Sequence, residues 1–411
     1  MQVKEAAATV SIPQTRGLTL EDHSRDLSIA RGPMDLQFML ITLLLLTIGV
    51  IMVLSASYAS AYYDVTNVTG GNPTYYFARQ LIFAVTGIGI MYVCSRLPPA
   101  LYRRFSFWVL GISIVLLMAV LVIGTKSNGA RRWIYIAGQS VQPSEIAKIG
   151  VILSFATLIC RYKNLMGTFK YGVVPFVVIL AVIVGLLFLE PHLSASIIII
   201  TLGAIMMFVG GARLFWFIGG LIGVGGFFVL AVTVLEYSSE RISAWRDPFS
   251  DKGDTGYQIV QSLYAIGSGG AFGLGLGQSR QKYLYLPEEH NDYIFSIVCE
   301  ELGFIGAALI LALFALLVVR GYWIALHARD RYSFLICTGL TSLLAIQVIL
   351  NVAVCTNLIP CTGISLPFFS YGGSALWLQM AEMGIILSVS RDIPTKRIIK
   401  RKRRKETVTQ T

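Results

Sequence analysis

An all-α, polytopic integral membrane protein with ten transmembrane helices is the fold class the sequence predicts, and three observations predict it. The chain of 411 residues is 55% hydrophobic and only 13% charged, whereas charged residues make up about a quarter of an ordinary soluble domain. Apolar runs long enough for a helix to cross roughly 30 Å of hydrocarbon recur all along the chain after Met34. Basic residues collect in alternate connecting segments, as the positive-inside rule requires.

The runs fall near 35–57, 78–95, 106–124, 144–160, 172–189, 193–210, 214–235, 293–319, 332–356 and 371–390. With the N-terminus in the cytoplasm, the inside segments hold 23 of the 33 Lys and Arg. This places both termini, and most of the +11 net charge, on the cytoplasmic side. Residues 1–34 show no apolar core followed by a small-residue cleavage site. The first span is therefore expected to be its own anchor, and 1–34 a disordered cytoplasmic tail. Residues 391–411 form a basic tail that follows a span directly and lacks interleaved aromatics. That composition fits anionic lipid and argues against a nucleic-acid partner. The six cysteines have no metal-ligand spacing. Only Cys355 and Cys361 could both approach an external surface, and packing is expected for them ahead of a disulfide.

Three external segments are more than turns. The stretch 58–76 is rich in Tyr, Asn and Gly, and 125–144 carries Lys126, Arg131, Arg132 and Trp133 on the face where cations are disfavoured. The third, 236–292, exceeds fifty residues, a length that implies function or a small folded unit. It reads as an extracellular cap, partly interfacial. Its glycines at 267–277 suggest a nucleotide loop only superficially, since no Walker lysine follows and no strand precedes. Close backbone packing is the expected use.

Chemistry concentrates where this cap enters the next span. Lys282, Glu288, Glu289, His290 and Asp292 crowd into eleven residues, and Glu300 and Glu301 follow inside the apolar run. A carboxylate at membrane depth costs about 2.5–3.5 kcal/mol on insertion scales, so each needs a partner or a job. In the fourth span Pro143 suits a first helical position, Ser144 can cap, and Glu145 and Lys148 stand three apart on one face. They form either a structural ion pair or the polar wall of a cavity, and both readings can hold together. Glu190-Pro191-His192 interrupts two apolar runs; a lone His there reads as a hydrogen-bonded structural residue. Between the last two spans, 359–374 contains two prolines, three glycines and Ser370, a pattern for a re-entrant loop lining polar contents or for a structural turn.

Taken together, GARRWI with QPSEIAK, YLPEEHNDYIFSIVCEELG and TGISLPFFSYGGS resemble the SEDS family of bacterial shape, elongation, division and sporulation proteins, from the first span to the tenth. ISLPFFSYGG and EPHLS resemble its division and sporulation branch more than its elongation branch. The resemblance implies ten transmembrane helices and peptidoglycan glycosyl transfer from lipid II. It carries the essential acid onto Asp292, the cavity pair onto Glu145 and Lys148, and the loop tryptophan onto Trp133. EPHLSAS departs from the usual PDLGT, with His192 in place of an acid, which leaves any role of that acid unassigned here.

The implied reaction is attack by the C4 hydroxyl of an acceptor GlcNAc on the anomeric carbon of a donor MurNAc, with inversion and departure of polyprenyl diphosphate. Asp292 would be the general base, and Lys282, Arg131, Arg132 or a divalent cation would stabilise the leaving group. His290 and Ser370 complete the expected substrate-binding set, with no resident metal. The resemblance also implies a class B penicillin-binding protein transpeptidase and other division proteins as partners, at the septum of a bacterial cytoplasmic membrane. A lipid II flippase and a non-catalytic division scaffold are the rival readings. No clear internal repeat supports the first, and the charge clusters would be surplus for the second.

Overall fold

In the computed structural model the described residues are 31–393, without 67, 128–129, 137–138, 235 and 250–254. Most of the two expected tails lies outside them. Twelve helices of more than one turn follow in chain order: α1 Leu36–Tyr63, α2 Tyr75–Arg96, α3 Pro99–Ile123, α4 Pro143–Tyr162, α5 Val174–Leu189, α6 Leu193–Val209, α7 Leu214–Val234, α8 Glu236–Arg246, α9 Thr255–Ser268, α10 Ile294–Leu326, α11 Arg331–Cys355 and α12 Gly373–Ser390. Ten of them coincide with the ten apolar runs. Among the described residues seven helical segments are both long and apolar enough to cross a membrane, and α6 is apolar but shorter.

The expectation of an all-α chain needs one correction. Between α3 and α4 lies a three-stranded antiparallel sheet, β1 Thr125–Ser127, β2 Ala130–Ile136 and β3 Gln139–Val141. The β-branched and aromatic residues of Arg131–Ile136 favour strand, and pairing Ile134 with Val141 and Trp133 with Thr125 satisfies backbone groups a loop would leave open.

Local chemistry sets the helix ends. Asp35 caps α1 by accepting from the Phe38 amide at 2.9 Å and also holds Arg320 of α10 at 2.6 Å. Pro143 occupies the first turn of α4 with Glu145, whose charge suits the helix N-terminus. Gln142, and not Ser144, is the cap residue; the buried Ser144 hydroxyl makes no hydrogen bond within the protein. The two ends of the described stretch meet, where Arg31 binds Asp392 at 2.7 Å and the Gly32 amide donates to the Arg391 carbonyl.

Helices α4, α11 and α12 are the most deeply buried, and α4 and α11 form the centre, with α6 packed on both. Around them α3 packs on α4, α10 on α11, α1 on α10 and α2, and α12 along α2. All six cysteines are free thiols.

The segment 236–292 folds into α8, α9 and a run of tight turns. The glycines at 267–277 pack backbone to backbone against α10, where that helix breaks at Gly303, φ +68°. The Leu274 and Gly275 amides donate to the Glu300 and Glu301 carbonyls, while Phe304 and Ile305 donate to Gly270 and Ala271. These four hydrogen bonds give partners to backbone groups at the break, as irregular backbone at membrane depth requires. A Cβ on Gly303 would meet the Gly273 nitrogen at 2.2 Å, so no side chain fits there.

Candidate functional site

A cavity of about 580 Å³ opens between the β2–β3 sheet, the starts of α2, α4 and α6, α8, the 288–293 segment and the 359–373 connection. Asp292, Arg132, Trp133, Glu145, Lys148 and Ser370 all line it, so six of the nine residues singled out in the sequence converge from four separate regions.

Asp292 is half-buried, at the end of the turns that lead into α10. Its carbonyl accepts from the Asn351 amide of α11 at 2.8 Å, and the same Asn351 amide also donates to Ile364 at 2.7 Å. Among the described residues no donor hydrogen-bonds its carboxylate, which leaves both oxygens available to a substrate proton. Burial pushes the carboxyl up from 3.8 to about 6, and Glu288 adds to this; Arg241, Arg132 and His290 pull the other way. Gly363 stands against it in a left-handed conformation, φ +60°, where a Cβ would lie 3.1 Å from Asp292 Oδ2. Gly363→Ala should therefore cost about 1–2 kcal/mol of stability for the conformation alone. It should lower turnover more than stability, as comparison of melting temperature with initial rate will show.

Glu145 and Lys148 pair at 2.7 Å, one turn apart on α4, with the lysine 2% exposed. Both expected roles hold, because the pair is a buried ion pair and also wall of the cavity. Below it a further space of about 30 Å³, large enough for a water, is lined by Glu145, Gln347, Gln379 and Glu382. Glu382 feels both members of the pair electrostatically. The sequence reading missed this third acid although its signal was plain, a lone carboxyl inside the last apolar run.

Three expected residues lie elsewhere. Lys282 is buried in an ion pair with Glu301 at 3.0 Å, away from the cavity lining. Arg131 points its guanidinium at the Leu121 and Val122 carbonyls at the end of α3, at 3.1 and 3.5 Å, where a cation complements the helix terminus. His290 backs the wall, its ring 4.5 Å from that of Tyr76 and 5.9 Å from that of Tyr371, two residues that do line the cavity. Ser370 is a lining residue, but its hydroxyl is engaged: it donates to the Asn291 carbonyl and accepts from the Leu366 amide, each at 2.7 Å.

The cations that face Asp292 are Arg132 on β2 and Arg241 on α8. Burial lowers the pKa of both from the usual arginine range, though not enough to discharge them. Arg132 also hydrogen-bonds the Pro191 carbonyl and sits near the buried Glu190, whose carboxyl burial raises to about 8. His192 lines the cavity as well; burial, with Arg132, Lys148 and Arg241 around it, drives its pKa well below 6.5, so its ring is neutral. Among the described residues no three His, Cys, Asp or Glu side chains come together as metal ligands.

Comparison with known proteins follows this geometry. Residues 36–394 match the model of the FtsW/RodA/SpoVE family, described as cell cycle proteins. Stage V sporulation protein E of Bacillus subtilis is 43% identical over 361 residues, 87% of this chain and 97% of that protein. A probable peptidoglycan glycosyltransferase FtsW of Trichlorobacter lovleyi is 39% identical over 358 residues, with 87% and 93% covered. Among solved structures, a chain of a peptidoglycan synthase complex that coordinates polymerization and crosslinking superposes with a TM-score of 0.73 at 25% identity, over 88% of this chain and 99% of the other. The rod shape determining protein RodA of Thermus thermophilus does so with 0.62 at 25% identity, over 88% and 98%.

Proposed function

The chain belongs to the FtsW/RodA/SpoVE family of cell cycle proteins, and from that premise we propose that its cavity polymerises lipid II into glycan strands at the outer face of the cytoplasmic membrane. It is a multi-pass membrane protein and a peptidoglycan glycosyltransferase. The observation that carries the finer reading is the pairing, in one cavity, of an unengaged carboxylate at Asp292 with Arg132 and Arg241. A sugar hydroxyl is a poor nucleophile, and a carboxylate with a pKa near 6 both accepts a proton and stays ionised at neutral pH. The arginines supply what the departing diphosphate needs, planar donors that remain charged. In this assignment they replace Lys282 and Arg131. Trp133, Tyr76 and Tyr371 offer aromatic faces to the sugar rings.

Ten spans with both termini inside are the topology that puts this cavity on the outer side. The meeting of Arg31 with Asp392 supports it by placing the start of α1 and the end of α12 on one side. The division septum is the proposed location, on the strength of similarity to the FtsW and sporulation relatives.

Purified protein given lipid II in detergent tests the reading. Glycan polymer is the expected product; transport without polymer, visible only in sealed vesicles, would favour a flippase, and neither activity would favour a scaffold. A class B penicillin-binding protein is the proposed partner, because the solved complex joins polymerization to crosslinking and this chain has no S-D-N or K-T-G set beside Ser279-Arg-Gln-Lys282. Adding that partner with its active-site serine mutated should still raise polymer yield. Equal yield from the isolated chain would rule out activation.

A further inference from the structure

The reaction assigned above makes no use of Glu300, Glu301 and Lys282, although burying such charges is expensive. Glu300 and Glu301 are 0% and 1% exposed and Lys282 is 2% exposed. Their partners are specific. Lys282 Nζ donates to Glu301 at 3.0 Å and to the Gly277 carbonyl at 2.7 Å, and Ser55 of α1 donates its hydroxyl to Glu301 at 2.7 Å. Backbone amides supply the rest: Ser279 to Glu301 at 3.3 Å, and Arg280 and Gln281 to Glu300 at 2.9 and 3.4 Å. The Ser279 hydroxyl bridges Glu300 and the Lys282 amide.

One ammonium meets one carboxylate here while hydroxyls and backbone amides hold the other, and well-packed apolar side chains would give comparable or greater stability. What the charges provide is a fixed geometry. The chain leaves this cluster at Lys282, passes through the turns that carry Asp292, enters α10 at Ile294 and returns to the cluster at Glu300, about two helical turns further on. Residues 279–301 therefore form a loop closed onto its own helix. At the far end Asn351 holds the Asp292 carbonyl, Ser370 the Asn291 carbonyl and the Tyr371 amide the His290 carbonyl. With both ends clamped, the backbone that carries the Asp292 carboxylate is held in place.

We propose that the Glu300–Glu301–Lys282–Ser55 cluster is a positioning device for Asp292, holding the base at its working distance without touching substrate. The proposal rests on the reading of Asp292 as general base. A misplacement of about 1 Å costs on the order of 10²-fold in rate.

The test uses Lys282→Met with Glu301→Met, which strands no charge within that pair, and Ser279→Ala as a milder second variant. Amide hydrogen exchange of the purified proteins reads positioning without any assay of activity. Exchange should accelerate about tenfold or more at 279–282 and also at 288–293, since opening the clamp at one end loosens the other. With lipid II, kcat should fall by about 10²-fold in the double variant, and by less in Ser279→Ala, while KM changes little. The acid limb should move from about 6 toward ordinary carboxylate values, as a loosened Asp292 takes up water and leaves Arg132, Arg241, Glu288 and His290. Lys282→Arg should restore kcat and the pH profile. Faster exchange confined to 279–282, or an unchanged acid limb in an active variant, would overturn the proposal. If exchange loosens at both ends while no form polymerises lipid II, the positioning inference stands and the glycosyltransferase reading of the site fails.

Discussion

Asp292→Asn should abolish polymerisation, by at least about 10²-fold, because the amide keeps the shape of the carboxyl and cannot take the proton. The same variant should be no less stable than the wild type at pH 7.5. The reason lies in the sign of the linkage: burial raises the Asp292 pKa to about 6 in the folded protein, so the folded state holds this proton more tightly than the unfolded one. Stability from this group is therefore lost as pH rises from the unfolded value through about 6, and the neutral amide avoids that loss. Activity runs the opposite way. The base works only when ionised, so kcat should rise tenfold per pH unit below about 6 and level off above it. Rate–pH profiles and melting curves on the same preparations check both statements. An Asp292→Asn protein that polymerises near the wild-type rate, or whose lost activity merely tracks a lowered melting temperature, would remove Asp292 from catalysis.

Removing Lys148 should be the most damaging single change to the fold around the cavity. Breaking a buried ion pair by deleting one partner costs about 3–5 kcal/mol, and replacing both partners is milder. Glu382 makes the two halves of the pair unequal. With Lys148→Met, Glu145 and Glu382 are left facing one small space with no cation of their own. With Glu145→Gln, Glu382 is relieved of Glu145's repulsion and can ionise beside Lys148, which still attracts it. The expected order of destabilisation is Lys148→Met first, Glu145→Gln second, and the double variant below the sum of the two by more than about 1 kcal/mol. Thermal unfolding of the three variants in one detergent measures it. Additive effects would mean that Glu145 and Lys148 do not act on each other despite their 2.7 Å contact.

The positions of ten helices, the break in helix over 359–372 and the pairing of Glu145 with Lys148 were legible in the sequence. Each is a local signal: a run of apolar residues, a cluster of helix breakers, a three-residue spacing. Asp292 was legible too, as an acid at the mouth of a span inside a motif that resembles the SEDS pattern. The 130–141 hairpin was not, because strands of three to seven residues show too few alternations to outweigh a reading as loop.

What only the tertiary structure decided is which charges meet. Arg131 and Arg132 are neighbours in sequence, yet one caps α3 and the other faces Asp292 together with Arg241, a residue more than a hundred positions away. Lys282 looked like a companion of Asp292, ten residues on, and instead pairs with Glu301 beside Ser55 of α1, which stands 246 residues from that glutamate. Sequence spacing fixes partners only within a turn or two of one element. Beyond that range the partner of a buried charge is whichever donor or acceptor the packing of helices brings within about 3 Å, since leaving it unpaired costs more than any local preference can offset.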